Sequence, residues 1–150
     1  MPTKHINDIL ETQIYTATKD AAVLVNGTTV FTITGGPIII EQIVAVCVTA
    51  NNATASTLQF SADGTDGAAT TISGATATLA SAAAGTIVAT VPGTLATAPV
   101  LYTNGVGIAG TVDIIVPAGV ITTVVGVGST TGTWKLSMRY RPLVAGVQVY

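Results

Sequence analysis

Thr133-Trp134-Lys135-Leu136-Ser137-Met138-Arg139-Tyr140-Arg141 alternates large apolar side chains with polar or charged ones along its whole length. Successive side chains of a strand point to opposite faces. The period of two therefore sets Trp134, Leu136, Met138 and Tyr140 on one face and Lys135, Ser137, Arg139 and Arg141 on the other. The stretch predicts a strand with one buried face.

Working outward, Ile38 to Ala50 is apolar on both alternating faces: Ile38, Ile40, Val44, Val46 and Val48 against Ile39, Ile43, Ala45 and Cys47. That pattern predicts a central strand covered on both sides, the spine of the core. Glu41 interrupts it. A carboxylate buried alone is costly, so Glu41 either faces solvent at a strand bend or pairs with a cation such as Arg139 or Arg141.

Short β-like runs fill the rest of the chain, separated by turn residues. Before the spine they are Thr12 to Thr18, Ala22 to Val25 and Thr28 to Thr34, with Asn26-Gly27 as the strongest hairpin signal and Gly35-Gly36-Pro37 as a second turn. Ser56 to Ala62 follows, with Leu58 and Phe60 inward, closed by Asp63-Gly64-Thr65-Asp66-Gly67. Further strands are expected near 70–72, 75–79, 86–91, 99–102, 112–116 and 120–127. Ala-Ser-Ala-Ala-Ala at 80–84 has helix-forming residues for one turn, but flanking Thr, Gly and Val argue against a long helix. About ten short strands without helical crossovers indicate an all-β, antiparallel β-sandwich, and a jelly roll is the usual form for this size. Residues 1–10 read as an N-terminal arm or lead-in, and 11–150 as a single β-sandwich domain.

Composition narrows function. The 150 residues hold five Lys and Arg and seven Asp and Glu, 8% charged, for a net charge of −2, against roughly 25% charged in a typical soluble domain. Thr, Ala, Gly, Ser and Val take the place of the missing charge, a strand-and-turn composition. No basic surface exists for a phosphate backbone, so nucleic acid is not an expected partner. No apolar run is long enough for a membrane helix, and one Trp, four Tyr and two Phe are too few for the girdles of an outer-membrane barrel, so no membrane partner is expected. Met1 to Asp20 lacks an apolar h-region, so no signal peptide is expected.

Catalytic chemistry finds little material. His5 is the sole imidazole and lies in the arm, so a Ser-His-Asp or Cys-His pair has no partner in the core. Cys47 lies in an apolar run and reads as a small buried hydrophobe. The Asp63 to Gly67 loop superficially suggests calcium ligation but lacks a downstream bidentate Glu, and a turn built on Asp and Gly explains it better. No enzyme activity, catalytic residue, cofactor or metal is expected. Candidate contacts are instead the arm residues Lys4, His5, Ile6, Ile9 and Leu10, which mix charge with apolar side chains, and the cations Lys135, Arg139 and Arg141 along one strand face.

Between Ala68 and Gly132 the only charge is Asp113. A monomer with so little charge lacks the usual protection from its neighbours, and homo-oligomerisation would cover it. Phe31-Thr32-Ile33-Thr34-Gly35-Gly36-Pro37-Ile38-Ile39-Ile40, the uncharged middle, and Trp134-Lys135-Leu136-Ser137-Met138-Arg139-Tyr140-Arg141-Pro142-Leu143 together resemble small virion proteins of tailed bacteriophages. Head decoration, or cement, proteins are the nearest group. The resemblance implies a jelly-roll-like β domain, commonly a trimer, made in the host cytoplasm. It would sit on the outer surface of the phage head, bind the major capsid protein and clamp capsomers against internal DNA pressure. A tail or fibre component contacting the host, and a carbohydrate-binding β module, are the other readings. The first calls for more exposed aromatics or a repetitive shaft, the second for a platform of Trp and Tyr.

Overall fold

The alternating stretch lies within the longest strand of the protein, whose computed structural model describes residues 13–65, 67–90, 98–102 and 114–150. In chain order the strands are β1 (Tyr15–Val25), β2 (Thr29–Thr34), β3 (Ile38–Cys47), β4 (Thr57–Gly64), β5 (Thr70–Thr71), β6 (Ile87–Ala89), β7 (Val100–Tyr102), β8 (Ile114–Val116), β9 (Gly119–Gly126), β10 (Ser129–Pro142) and β11 (Gln148–Val149). They form two antiparallel sheets. The large sheet runs β1-β10-β3-β6-β7, with β8 also paired to β3, and the small sheet runs β11-β2-β9-β4-β5. The arm, residues 1–10, and parts of the expected strands at 86–91 and 112–116 lie outside the described residues.

The sheets close on one apolar core. Trp134, Leu136 and Met138 from β10, Ile38, Ile40, Ile43 and Ala45 from β3, Phe31 and Ile33 from β2, Leu58 and Phe60 from β4 and Ile121 from β9 are all buried in it. Alternation puts them there: each strand gives every second residue to the gap between the sheets. On β10 the inward set matches the sequence pattern, with Tyr140 completing it.

On β3 the sequence pattern misleads, and a β-bulge is the reason. Arg139 pairs with Gln42 but the next residue, Tyr140, pairs with Ile40, which leaves Glu41 as an extra residue without an opposite number. The bulge shifts the side-chain phase by one. Inward residues are Ile38 and Ile40 before it and Ile43, Ala45 and Cys47 after it, two from one and three from the other of the two faces the alternation defines. The strand is therefore not covered on both sides: Ile39, Val44 and Val46 are half-buried and Val48, just past its end, is exposed.

Asn26-Gly27 also differs from its expected role. The turn forms, with Thr28 N–H donating to Val25 O at 3.2 Å and Gly27 at φ +77°. Its flanking strands do not pair with each other, since β1 pairs with β10 and β2 with β9. The turn carries the chain from one sheet to the other. Val125 N–H donates to Asn26 Oδ1 at 3.1 Å and pins this corner to β9. Residues 80–84 contain turns at Ala80-Ser81 and at Ala84, with Ser81 at φ +56°, and no helix.

The expected strand at 75–79 is not a strand, yet it does a strand's work. Thr76 N–H donates to Leu58 O at 2.9 Å and Leu79 N–H to Ser56 O at 2.7 Å. In return Leu58 N–H donates to Thr76 Oγ1 at 3.0 Å and Phe60 N–H to Ser73 Oγ at 2.9 Å. Hydroxyl oxygens here replace the carbonyls a regular neighbour would offer, so the edge of β4 that faces away from β9 is covered beyond β5 without a ladder. The same device serves the large sheet, where Ile43 N–H donates to Thr90 Oγ1 and Leu24 N–H to Thr130 Oγ1, both at 2.9 Å.

Buried Asn51 ties three segments together. Its Nδ2 donates to Leu79 O at 3.0 Å, while its Oδ1 accepts from Gly132 N–H at 2.7 Å and from the Trp134 indole at 3.3 Å. A side chain at Gly132 would collide with Thr49 O and Asn51 Oδ1, so glycine is what lets the loop approach β10 this closely.

Two stability predictions follow from this packing. Leu136→Ala empties part of the core and is expected to cost about 2–5 kcal/mol in urea unfolding; a loss below about 0.5 kcal/mol would contradict its placement. Asn51→Leu strands a backbone and an indole N–H away from water and is expected to cost about 2–4 kcal/mol by the same measurement.

Candidate functional site

Three of the cations singled out in the sequence share one surface. Lys135, Arg139 and Arg141 project from the outer side of β10, on the large sheet, beside Val46, Gln42 and Ile39 of β3 in register. Beyond β3 the same rows continue to Ile87 and to Ile115, the latter 67% exposed. The surface thus has cations along one side and aliphatic side chains along the other.

Glu41 organises the arginines. The bulge turns its carboxylate to this face, where Oε1 lies 2.8 Å from Arg141 Nε and Oε2 lies 3.4 Å from Arg139 Nη2. The carboxylate is 9% exposed, while the Arg139 and Arg141 side chains are 42% and 27% exposed. One acid is shared by two cations, so the cluster keeps a net positive charge with partly solvated guanidinium edges. The sequence offered Glu41 with either arginine; the bulge lets it take both. Lys135 stands apart from this cluster on the same strand face. Lys4, His5, Ile6, Ile9 and Leu10 lie outside the described residues.

The small sheet presents a different outer surface. Thr32 lies beside Val120, Ser61 beside Thr122, and Gln59 beside Val124 across the β2, β9 and β4 ladders. Among the described residues Asp63, at one end of β4, is the only charged side chain in this sheet. All four described cations, Lys19, Lys135, Arg139 and Arg141, belong to the large sheet. Nothing in the one-dimensional pattern announced this segregation, because the uncharged middle of the chain is divided between both sheets.

Reactive groups are few and shielded. The Cys47 thiol is buried, donates to Thr49 O at 3.2 Å, and is pushed above its ordinary value by loss of water, with a smaller opposing hydrogen bond from the Asn51 backbone. Burial, and secondarily the neighbouring Tyr15, also raises the Tyr140 phenol. These two tyrosines stack across β1 and β10 at 5.7 Å and 26°, lining an open cleft of about 160 Å³ with Pro142, Val144, Gly146 and Val147. Tyr140 is buried and Trp134, Phe31 and Phe60 are fully so. Tyr15 alone offers a ring edge to a ligand there, which is less than a sugar platform needs. Among the described residues, no three of His, Cys, Asp and Glu gather where they could hold a metal ion. The Asp63 loop is the turn of the β4–β5 hairpin, with Ser61 opposite Thr71 and Ala62 opposite Thr70.

Comparison of the chain with family models, with characterised proteins and with solved structures gives no match.

Glu41→Gln keeps the volume of the side chain and removes the charge that both arginines share. It is expected to cost about 1–3 kcal/mol, the scale of a hydrogen bond to a charged group. Urea unfolding of this variant against wild type measures the loss, and the double variant Glu41→Gln, Arg139→Gln is expected to lose less than the two single changes together, the coupling of a real contact.

Proposed function

We propose that this chain is a structural virion protein, a building block of an assembly and not an enzyme. More particularly, it is a head decoration, or cement, protein of a tailed bacteriophage, carried on the outer surface of the capsid and stabilising it. Its partners are further copies of itself, as a homotrimer, and the major capsid protein.

The strand order carries this reading. Drawn as one long antiparallel hairpin with its tip between β4 and β5, the chain pairs β1 with β10, β2 with β9, β3 with β6 and β8, and β4 with β5. Rolling that ribbon around the core adds β10 against β3 and β9 against β4. These pairings support reading the sandwich as a jelly roll, the double Greek key used by viral capsid domains among others. The surface chemistry supports it further. A cationic and aliphatic face suits a wide acidic protein surface, whereas a substrate would need a pocket with convergent titratable groups. The arm at residues 1–10 adds a second grip in this reading, on a neighbouring subunit.

Reconstitution tests the proposal. Heads of the phage encoding the chain, prepared without it, should take up the purified protein to a saturating copy number fixed by the lattice and should then withstand a higher temperature before releasing DNA. Deleting residues 1–10 should leave circular dichroism and unfolding unchanged while lowering occupancy at a given concentration. Uptake by tails alone, or no uptake by either part of the particle, would overturn the reading.

A further inference from the structure

We infer that two copies of this chain pair through the free edge of β1, antiparallel about a twofold axis, so that the large sheet runs on from one copy into the next. This contact goes beyond the assembly reading and is separate from the threefold contact proposed there.

The large sheet stops at β1. Among the described residues no strand pairs with its outer edge, and Thr16 and every residue from Thr18 to Val23 are exposed. Lys19 and Ala22 stand opposite the buried Leu136 and Trp134, on the side of the sheet that faces the core, yet both are open to solvent. The rim of the core is open here. The other outermost strands offer little to a neighbour, since β7 has three residues and β5 and β11 two each, against 11 in β1. An antiparallel ladder makes on average about one hydrogen bond per residue, so Tyr15 to Leu24 can make about ten. Main-chain bonds of this kind are what hold an added strand.

Charge identifies the occupant. Lys19 and Asp20 are adjacent at the middle of β1, and among the described residues both ion pairs belong to Glu41, so neither Lys19 nor Asp20 is paired there. A twofold axis centred on Lys19 sets it against its own copy, and one centred on Asp20 does the same to the aspartate. Like charges directly opposite are destabilising. An axis between the two residues sets Lys19 opposite the partner's Asp20 and Asp20 opposite the partner's Lys19, so the strand complements itself twice.

The β-bulge independently selects the same register. Side chains of a regular strand alternate, so a twofold pair matches faces only when the axis passes through a residue. The extra residue between Lys19 and Ala22 shifts the phase by one in the middle of β1. With the axis between Lys19 and Asp20, core-side Tyr15 and Ala17 come opposite the partner's Leu24 and Ala22, also core-side, and outward Thr16 comes opposite the partner's Val23, also outward. Both features are properties of β1 against itself. A second copy therefore fits this edge better than an unrelated strand, which the same two charges turn away.

Charge reversal in the full chain tests the inference, with sedimentation for mass and circular dichroism for folding. Wild type at micromolar concentration should contain an even number of copies, two, or six where the threefold contact forms as well. Lys19→Asp and Asp20→Lys should each raise the dissociation constant of this contact about tenfold or more with an unchanged spectrum, because each sets two like pairs across the axis. The double variant Lys19→Asp, Asp20→Lys should regain wild-type association, a recovery that a merely structural role would not produce. Oxidative cross-linking reads the register: Thr16→Cys, Val23→Cys together should give covalently joined chains and either change alone should not, since each position lies opposite the other and far from its own copy. Association indifferent to the single reversals, a folded double reversal that fails to recover, or cross-linking by a single cysteine variant would overturn the inference. Wild type of three copies would also overturn it while leaving the assembly reading in place, and a monomer at every concentration would remove the self-association of that reading too. A folded monomer whose β1 amides become protected from exchange only on phage heads would give the edge to the capsid protein and overturn the inference by that route.

Discussion

Backbone amides and carbonyls that enter an apolar core must be paired, and much of this structure follows from how that demand is met where ladders stop. Several strands are short and connections between them cross from sheet to sheet, so regular neighbours are missing at several edges. Thr76, Ser73, Thr90 and Thr130 fill those gaps with side-chain oxygens. A Thr-rich chain with few charges is therefore more than a surface phenomenon. Ser56, Ser73, Thr76, Thr86, Thr90, Thr123 and Thr130 are buried, and the hydroxyls of Ser73, Thr76, Thr90, Thr123 and Thr130 all bond to backbone groups.

That role explains where the sequence was legible and where it was not. The period of two in β10 reads directly, because one face of the strand is wet and the other dry. The same rule fails on β3, since Glu41 adds a residue and changes phase, and a bulge leaves no mark in an apolar run beyond the carboxylate itself. Asn26-Gly27 specifies a turn locally, yet the partners of its strands lie near residues 120 and 130, which short-range signals do not encode. The segment at 75–79 has strand-like residues and satisfies β4 without strand geometry. Asn51 escaped notice altogether: it is one Asn in an Asn-Asn loop, and only its burial against Trp134 gives it weight.

The candidate surfaces were half visible in the same way. Alternation alone places Lys135, Arg139 and Arg141 together, and the shortage of other cations makes them conspicuous. Their sharing of Glu41 depends on the bulge. The uncharged surface of the small sheet depends on long-range pairing among β2, β9 and β4, so a low-charge composition hints at a covered face without locating it. The two sheets give the molecule a sidedness, with all four described cations on the large sheet and Asp63 the one charged side chain described on the small sheet.

The pairing of the first long strand with the last has a kinetic consequence. Leu24 and Thr130 are bonded across 106 positions of the chain, and Tyr15 meets Tyr140 at the far end of the same ladder. Such contacts form only after most of the chain has been gathered, so loop closure is costly and little can be stabilised by neighbours in sequence. Folding is expected in the millisecond-to-second range typical of all-β domains with non-local contacts. During synthesis β1 must also wait, its apolar side uncovered, until β10 has left the ribosome. The 11 residues of β1 carry Lys19 and Asp20 at a register break in their middle, and these charges interrupt a long strand that would otherwise be free to pair with a stranger in that interval.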